Sequence, residues 1–198
     1  MTILGLTGSI GMGKSTTARM FMQAGVPVHD ADETVHRLYA GKAAPLIEKE
    51  FPGVASNGVV DRARLAAAVL DDAAALKKLE AIVHPLVRED EKSFLAKHRA
   101  AGAELVVLDI PLLFEVEAMD RVHKVLVVTA PPDVQRRRVL ARPGMTEKNF
   151  EAILAKQIPD AEKRRLADYV IDTGEGMKAA EKAVHAIIEE LTTRPQLS

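Results

Sequence analysis

The octet Gly8-Ser9-Ile10-Gly11-Met12-Gly13-Lys14-Ser15 constrains this chain more than any other stretch. It fits G-x-x-x-x-G-K-[ST]. A short β-branched run, TILGLT at 2–7, precedes it, and a helix-like segment, 15–24, follows and stops at Gly25. Four glycines fall within positions 5 to 13, and each costs about 0.5–1 kcal/mol inside regular structure. A polyphosphate ligand explains that cost. Glycines let backbone N–H groups turn inward with no Cβ in the way. A helix starting near Gly13 aims its free N–H groups and positive dipole end at the same charge. In this reading Gly8, Gly11, Gly13 and Lys14 bind the phosphates of a nucleotide, Lys14 neutralising the β and γ groups, and the Ser15 hydroxyl ligates Mg²⁺.

A strand–loop–helix of this kind is one unit of a doubly wound α/β fold, and the rest of the chain supplies more units. Apolar runs at 25–32, 104–113, 123–131 and 167–174 join 2–7 as strand candidates. Runs apolar on both faces suit a parallel sheet covered by helices. Helical patterns occupy 33–40, 131–142, 146–157 and 176–193, the last carrying a core stripe of Val184, Ile187, Ile188 and Leu191. The stretch 33–103 is too long for one crossover helix and reads as an inserted helical subdomain. Within it Pro85 is compatible only with a helix start, so His84 is expected to close one helix before another begins. The expected fold class is therefore α/β: a P-loop-type, doubly wound, parallel five-stranded sheet with an inserted helical domain and a lid. The expected boundaries are a core of about 1–32, 104–130 and 166–198, a helical subdomain of about 33–103, and a lid of about 131–165. Pro143-Gly144 and Pro159 serve as hinge punctuation for that lid.

Composition narrows the function. With 198 residues, 47% of them hydrophobic, one domain with a sizeable core is expected. Lys plus Arg number 27 against 28 Asp plus Glu, so a net charge of −1 gives no global pull toward nucleic acid or acidic membrane. The absence of cysteine excludes a disulfide framework and a thiolate metal site. No signal-like start and no apolar run of about 18 residues is present. The expectation is a cytoplasmic protein without nucleic-acid or membrane partners, working as a monomer or weak homo-oligomer.

A P-loop does not name a reaction. No guanine-selecting N-K-x-D occurs. Asp109 ends the run LVVLD in the manner of a Walker-B acid, helping to hold the metal or its waters. It is followed by Ile110 rather than by the Glu that orients a hydrolytic water. Transfer to a substrate hydroxyl is thus favoured over hydrolysis. The acids of HDAD, Asp30 and Asp32, follow a strand candidate, where ligands of open α/β sheets sit. One carboxylate there could take a hydroxyl proton, and one could cap the helix that follows. In DIPLLFE, 109–115, Pro111 turns the chain and Glu115 could accept from a substrate, or 112–114 could be plain core. Between 133 and 165 nine Lys or Arg face five Asp or Glu. Arg138 and Arg142, four apart on one helix face, could clamp phosphates or stack on a base, while Arg136 and Arg137 read as solvated. By pattern His84 reads as structural.

These pieces, in this order, resemble bacterial dephospho-CoA kinases along nearly the whole chain. GLTGSIGMGKST, VHDAD, HP at 84–85, DIPLLFE, Gln135…Arg138…Arg142, Gln157 and KRRLADYVIDTG at 163–174 carry the resemblance. It implies a P-loop core, a helical substrate domain and a lid. It also implies transfer of the ATP γ-phosphate, with Mg²⁺, to the ribose 3′-hydroxyl of dephospho-CoA, the last step of coenzyme A synthesis. By resemblance Asp32 is the catalytic base, with Lys14 and Arg138 as its catalytic partners. Gly11, Met12, Gly13, Lys14, Ser15 and Thr16 hold ATP phosphates, and Arg138 and Arg142 make nucleotide and lid contacts. His84, Phe114 and Glu115 line the dephospho-CoA site beside Asp32. Two other classes remain open: another P-loop small-molecule or nucleoside monophosphate kinase, and a non-catalytic ATP-gated binding module.

Overall fold

The computed structural model describes residues 1–70 and 72–193. Asp71 and residues 194–198, which fall in the expected helical subdomain and the expected core tail, lie outside the described residues. In chain order the first half holds β1 (Thr2–Thr7), α1 (Lys14–Gln23), β2 (Val28–Asp30), α2 (Ala31–Tyr39), α3 (Ala44–Glu50), β3 (Ala55–Ser56) and β4 (Val59–Val60). There follow α4 (Arg62–Val69), α5 (Ala73–Ala100), β5 (Leu105–Asp109), β6 (Lys124–Thr129) and α6 (Pro132–Leu140). Last come α7 (Glu147–Leu154), α8 (Asp160–Leu166), β7 (Tyr169–Asp172) and α9 (Met177–Thr192). The chain divides into two compact units, residues 1–29 with 98–198, and residues 30–97.

The first unit is built on the five-stranded sheet, in the order β2-β5-β1-β6-β7. Strand β1 pairs in parallel with β5 and β6, and β6 with β7. Each of the five apolar runs read from the sequence contains one strand of this sheet, and the α/β class stands. The central strands are buried on both faces. All of Leu105–Asp109 is buried, and Leu4, Leu6, Val107, Leu126 and Val128 form one core with Phe21 of α1 and Val184 and Ile187 of α9. Full burial of each such side chain contributes about 1.5–3 kcal/mol. Ile188 and Leu191 pack against the same core, so the α9 stripe faces the sheet. Register places Leu6 beside both Asp109 and Leu126, and Thr129 beside Asp172, which brings the carboxyl ends of β5, β1, β6 and β7 to one edge.

The second unit has its own core, formed by Leu38, Ala43, Ala44, Ile47, Val54, Val60, Leu65, Leu79 and Val83. It contains a hairpin that the sequence reading did not anticipate. Strands β3 and β4 pair antiparallel across Asn57-Gly58, which stand at φ 52 and 76 as a two-residue primed turn requires. A second difference concerns Pro85. Helix α5 runs unbroken through it, so no helix closes at His84. The proline removes the amide that would bond the Ala81 carbonyl, but Ala81 and Pro85 are both exposed, so the loss falls on the solvent side of the helix. Leu79 and Val83 on one side of Pro85, and Leu86 and Val87 on the other, pack on the same cluster and hold the helix together. Among the described residues no helix is long and apolar enough to cross a membrane.

Candidate active site

The phosphate loop joins β1 to α1 in the first unit, and its shape depends on two left-handed glycines. Gly11 has φ 79, and a Cβ there would come within 2.5 Å of Val139 Cγ2 and 3.1 Å of the Gln135 carbonyl. Gly13, at φ 95, is the N-cap of α1, so the helix begins at Lys14 with its first amides unclaimed by the helix itself. Gly8 and Met12 are buried, Thr16 is half-buried and Ser15 is exposed.

Lys14 and Asp109 meet at the head of this loop. Lys14 Nζ lies 2.5 Å from Asp109 Oδ1, and the Asp109 side chain is fully buried at the end of β5. A carboxylate so placed needs a counter-charge, which the lysine provides. The same geometry puts an ammonium and a carboxylate, the partners a triphosphate and its metal require, at the mouth of the loop. Among the described residues no group of three or more His, Asp or Glu is arranged to hold a metal.

Side chains from distant elements fix the loop from behind. Gln135 Nε2 donates to the Ile10 carbonyl at 2.7 Å, and Gln157 Oε1 accepts from the Ile10 amide at 3.2 Å. The Thr173 hydroxyl lies 2.8 Å from the Met12 carbonyl, to which it donates, and accepts from Arg138 Nη1 at 2.8 Å. Arg138 also donates to the Thr173 carbonyl at 2.9 Å and reaches the Gly11 carbonyl at 3.5 Å. Arg138 thus touches the phosphate loop while bracing its back. Arg142 is exposed and its guanidinium has no partner among the described residues. Arg136 pairs with Glu147 at 2.5 Å on the surface, apart from the loop contacts.

Beyond Asp109 the chain turns at Pro111, whose carbonyl accepts from the Thr7 hydroxyl at 3.1 Å. Phe114 is buried in this turn. Glu115 points inward as well. Its Oε1 lies 2.7 Å from Lys163 Nζ and accepts from the Ile158 amide at 3.0 Å. Lys163 is 0% exposed.

The remaining expected site residues belong to the second unit. The Asp30 carboxylate caps α2 by accepting from the Glu33 amide at 3.0 Å. Asp32 stands in the first turn of that helix, exposed, with no side-chain partner among the described residues. The two roles that the sequence left open for this pair are therefore divided, Asp30 capping and Asp32 uncommitted. His84 is exposed on α5. Arg37 donates to Asp90 at 2.8 Å and His36 contacts Arg62 at 3.0 Å. Sequence reasoning gave no role to Thr173 or Lys163. Both fall in KRRLADYVIDTG, which carried the resemblance without a task for either, and Thr173 lies 161 positions from its partner Met12.

A family model described as dephospho-CoA kinase matches residues 2–179. The chain is 69% identical over 191 residues to a dephospho-CoA kinase of Mesorhizobium japonicum, covering 96% of this chain and 97% of the relative. It is 56% identical to a dephospho-CoA kinase of Brucella melitensis, with 98% of each chain covered. A Thermus thermophilus protein of known crystal structure is similar at 38% identity and a TM-score of 0.85, over 97% of this chain and 98% of that one.

Proposed function

This chain belongs to the dephospho-CoA kinase family, and from that premise we propose how its residues divide the work. The reaction is phosphorylation of dephospho-CoA at the expense of ATP, the final step of coenzyme A synthesis. The carrying observation is the glycine loop headed by the Lys14–Asp109 pair, in a chain that the family model matches from 2 to 179.

The loop amides of residues 11–16 and the α1 dipole hold the ATP phosphates, and Lys14 with Arg138 and Arg142 offsets charge on the moving phosphoryl group. The Ser15 hydroxyl and Asp109 carboxylate are hard oxygen donors that suit Mg²⁺, which when bound offsets charge on the β and γ phosphates. Asp32 orients the ribose 3′-hydroxyl and takes its proton as that oxygen bonds to the γ-phosphorus. The bond from the γ-phosphorus to the β–γ bridging oxygen breaks, and its electron pair leaves with ADP. His84 and Phe114 serve the acceptor side. Residues 131–165 act as the lid that keeps water from the transferring group. The reaction belongs to the cytoplasm, in a monomer or weak homo-oligomer.

The test is incubation of the full chain with ATP, Mg²⁺ and a panel of acceptors, read by mass for one added phosphate. Dephospho-CoA alone is expected to gain it. Preferential phosphorylation of a nucleoside monophosphate, or tight ATP binding with no product from any acceptor, would sink this reading.

A further inference from the structure

Lys163 and Glu115 form a buried ion pair to which the phosphoryl-transfer scheme gives no task. The lysine is 0% exposed and the glutamate side chain 13%. Neither Lys163 Nζ nor Glu115 Oε2 has a directed hydrogen bond among the described residues, so charge at 2.7 Å is what joins them. Such a pair is weak as a stabilising device, because apolar side chains of similar volume commonly serve stability as well or better. What an ion pair does supply is a fixed location for its two ends. Glu115 Oε1 also accepts from the Ile158 amide. The neighbouring residue, Gln157, accepts from the Ile10 amide inside the phosphate loop. At the start of α8, Asp160 accepts from the Thr129 hydroxyl at 2.8 Å, tying the same segment to the end of β6. A continuous path therefore runs from Lys163 through Glu115, Ile158 and Gln157 to Ile10. It links the turn after Asp109 with the loop that carries Lys14.

We propose that Lys163 is a positioning residue for phosphoryl transfer, setting the phosphate loop through Glu115 and the Gln157–Ile158 segment, with Glu115 acting inside the fold rather than on the acceptor. This rests on the kinase reading above. Displacing the Ile10 amide shifts the backbone next to the transferring phosphate, where errors of an ångström cost far more in the transition state than in binding.

The test measures kcat, both KM values and melting temperature with ATP, Mg²⁺ and dephospho-CoA. Lys163→Met alone strands the Glu115 charge and is expected to melt early. The decisive variant combines Lys163→Met with Glu115→Gln, which leaves no stranded charge. It is expected to melt near wild type, with kcat lowered roughly tenfold to hundredfold and each KM within about threefold of wild type. Gln157→Leu is expected to lower kcat in the same way. Added to the combined variant it should cost little more, because both act through Ile10. Wild-type kcat in the combined variant overturns the proposal, as do losses that multiply in full when Gln157→Leu is added. A tenfold rise in the dephospho-CoA KM at unchanged kcat also overturns it, because Glu115 would then touch the acceptor. Wild-type protein that phosphorylates no dephospho-CoA removes the kinase reading as well, whereas an active wild type with unaffected variants removes this inference alone.

Discussion

Asp30 and Asp32 are the same residue type two positions apart, and their surroundings give them different tasks. Asp30 spends its carboxylate on the Glu33 amide, while Asp32 faces solvent in the first turn of α2 with no partner among the described residues. A base has to be uncommitted to accept a proton, so the proposed catalytic role falls to Asp32. Asp32→Asn is expected to keep ATP binding, measured calorimetrically, and to lower kcat by roughly a hundredfold to ten-thousandfold. Its stability should change by only about 0.5 kcal/mol, because an exposed acid in a first helical turn contributes little beyond the dipole interaction. Near-normal turnover would take the base role away from Asp32. Arg138 teaches a related lesson. Its spacing from Arg142 points to a phosphate clamp, and its contacts show in addition a brace on Thr173 and Gly11.

At the scale of elements, α5 and the β6–β7 pair show packing and pairing deciding what propensity alone leaves open. Helix α5 carries Pro85 in its interior because the side chains flanking it pack on one cluster. Pro85→Ala restores an amide for the Ala81 carbonyl. It should raise stability by about 1–3 kcal/mol, a gain of several degrees in melting temperature; an unchanged or lower value would mean that the helix needs the proline's geometry. In the sheet, Asp168 just ahead of β7 accepts from Lys124 Nζ and from the Val125 amide, each at 2.8 Å. Burial pushes its carboxyl up, but the Lys124 hydrogen bond, the Val125 amide and the Lys124 charge together hold it below the usual carboxylate range. A lowered carboxyl adds stability above its unfolded value, near 3.8, and that stability disappears as pH falls through the lowered one. Asp168→Asn should therefore cost about 0.5 kcal/mol at pH 7, solvent screening included. The gap to wild type, followed by urea unfolding, should close at pH values well under 4. A gap independent of pH would remove the ionic cause.

At the scale of the whole molecule, the proposed nucleotide site would couple ligand binding to fold stability through the first unit. ATP that binds only the folded state at a hundred times its Kd adds about 2.7 kcal/mol, which for a chain of this size is roughly 5–10 °C in melting temperature. Lys14→Ala should erase most of that ATP-dependent rise, since it removes the cation proposed to face the phosphates; a rise equal to that of wild type would place the phosphates elsewhere. Much of the first unit was legible in the sequence because its signals are local. Five apolar runs marked the five strands, and the glycine octet marked the loop and the start of α1, since both depend on neighbours a few residues apart. The Asn57-Gly58 hairpin was legible in the same local way and went unread, although its turn residues are present in the chain. Other features exist only once the chain is folded. Thr173 meets Met12 across 161 positions, Gln157 meets Ile10 across 147, and Lys163 of α8 finds Glu115 in the turn after β5. Periodicity carries no record of such pairs, because hydrogen bonds and charges act over a few ångströms and only the folded chain sets those distances. The sequence by itself determined the class of fold, the phosphate loop and the family. The tertiary structure decided which residues lock that loop in place, because each lock joins segments that are adjacent only after the sheet has formed.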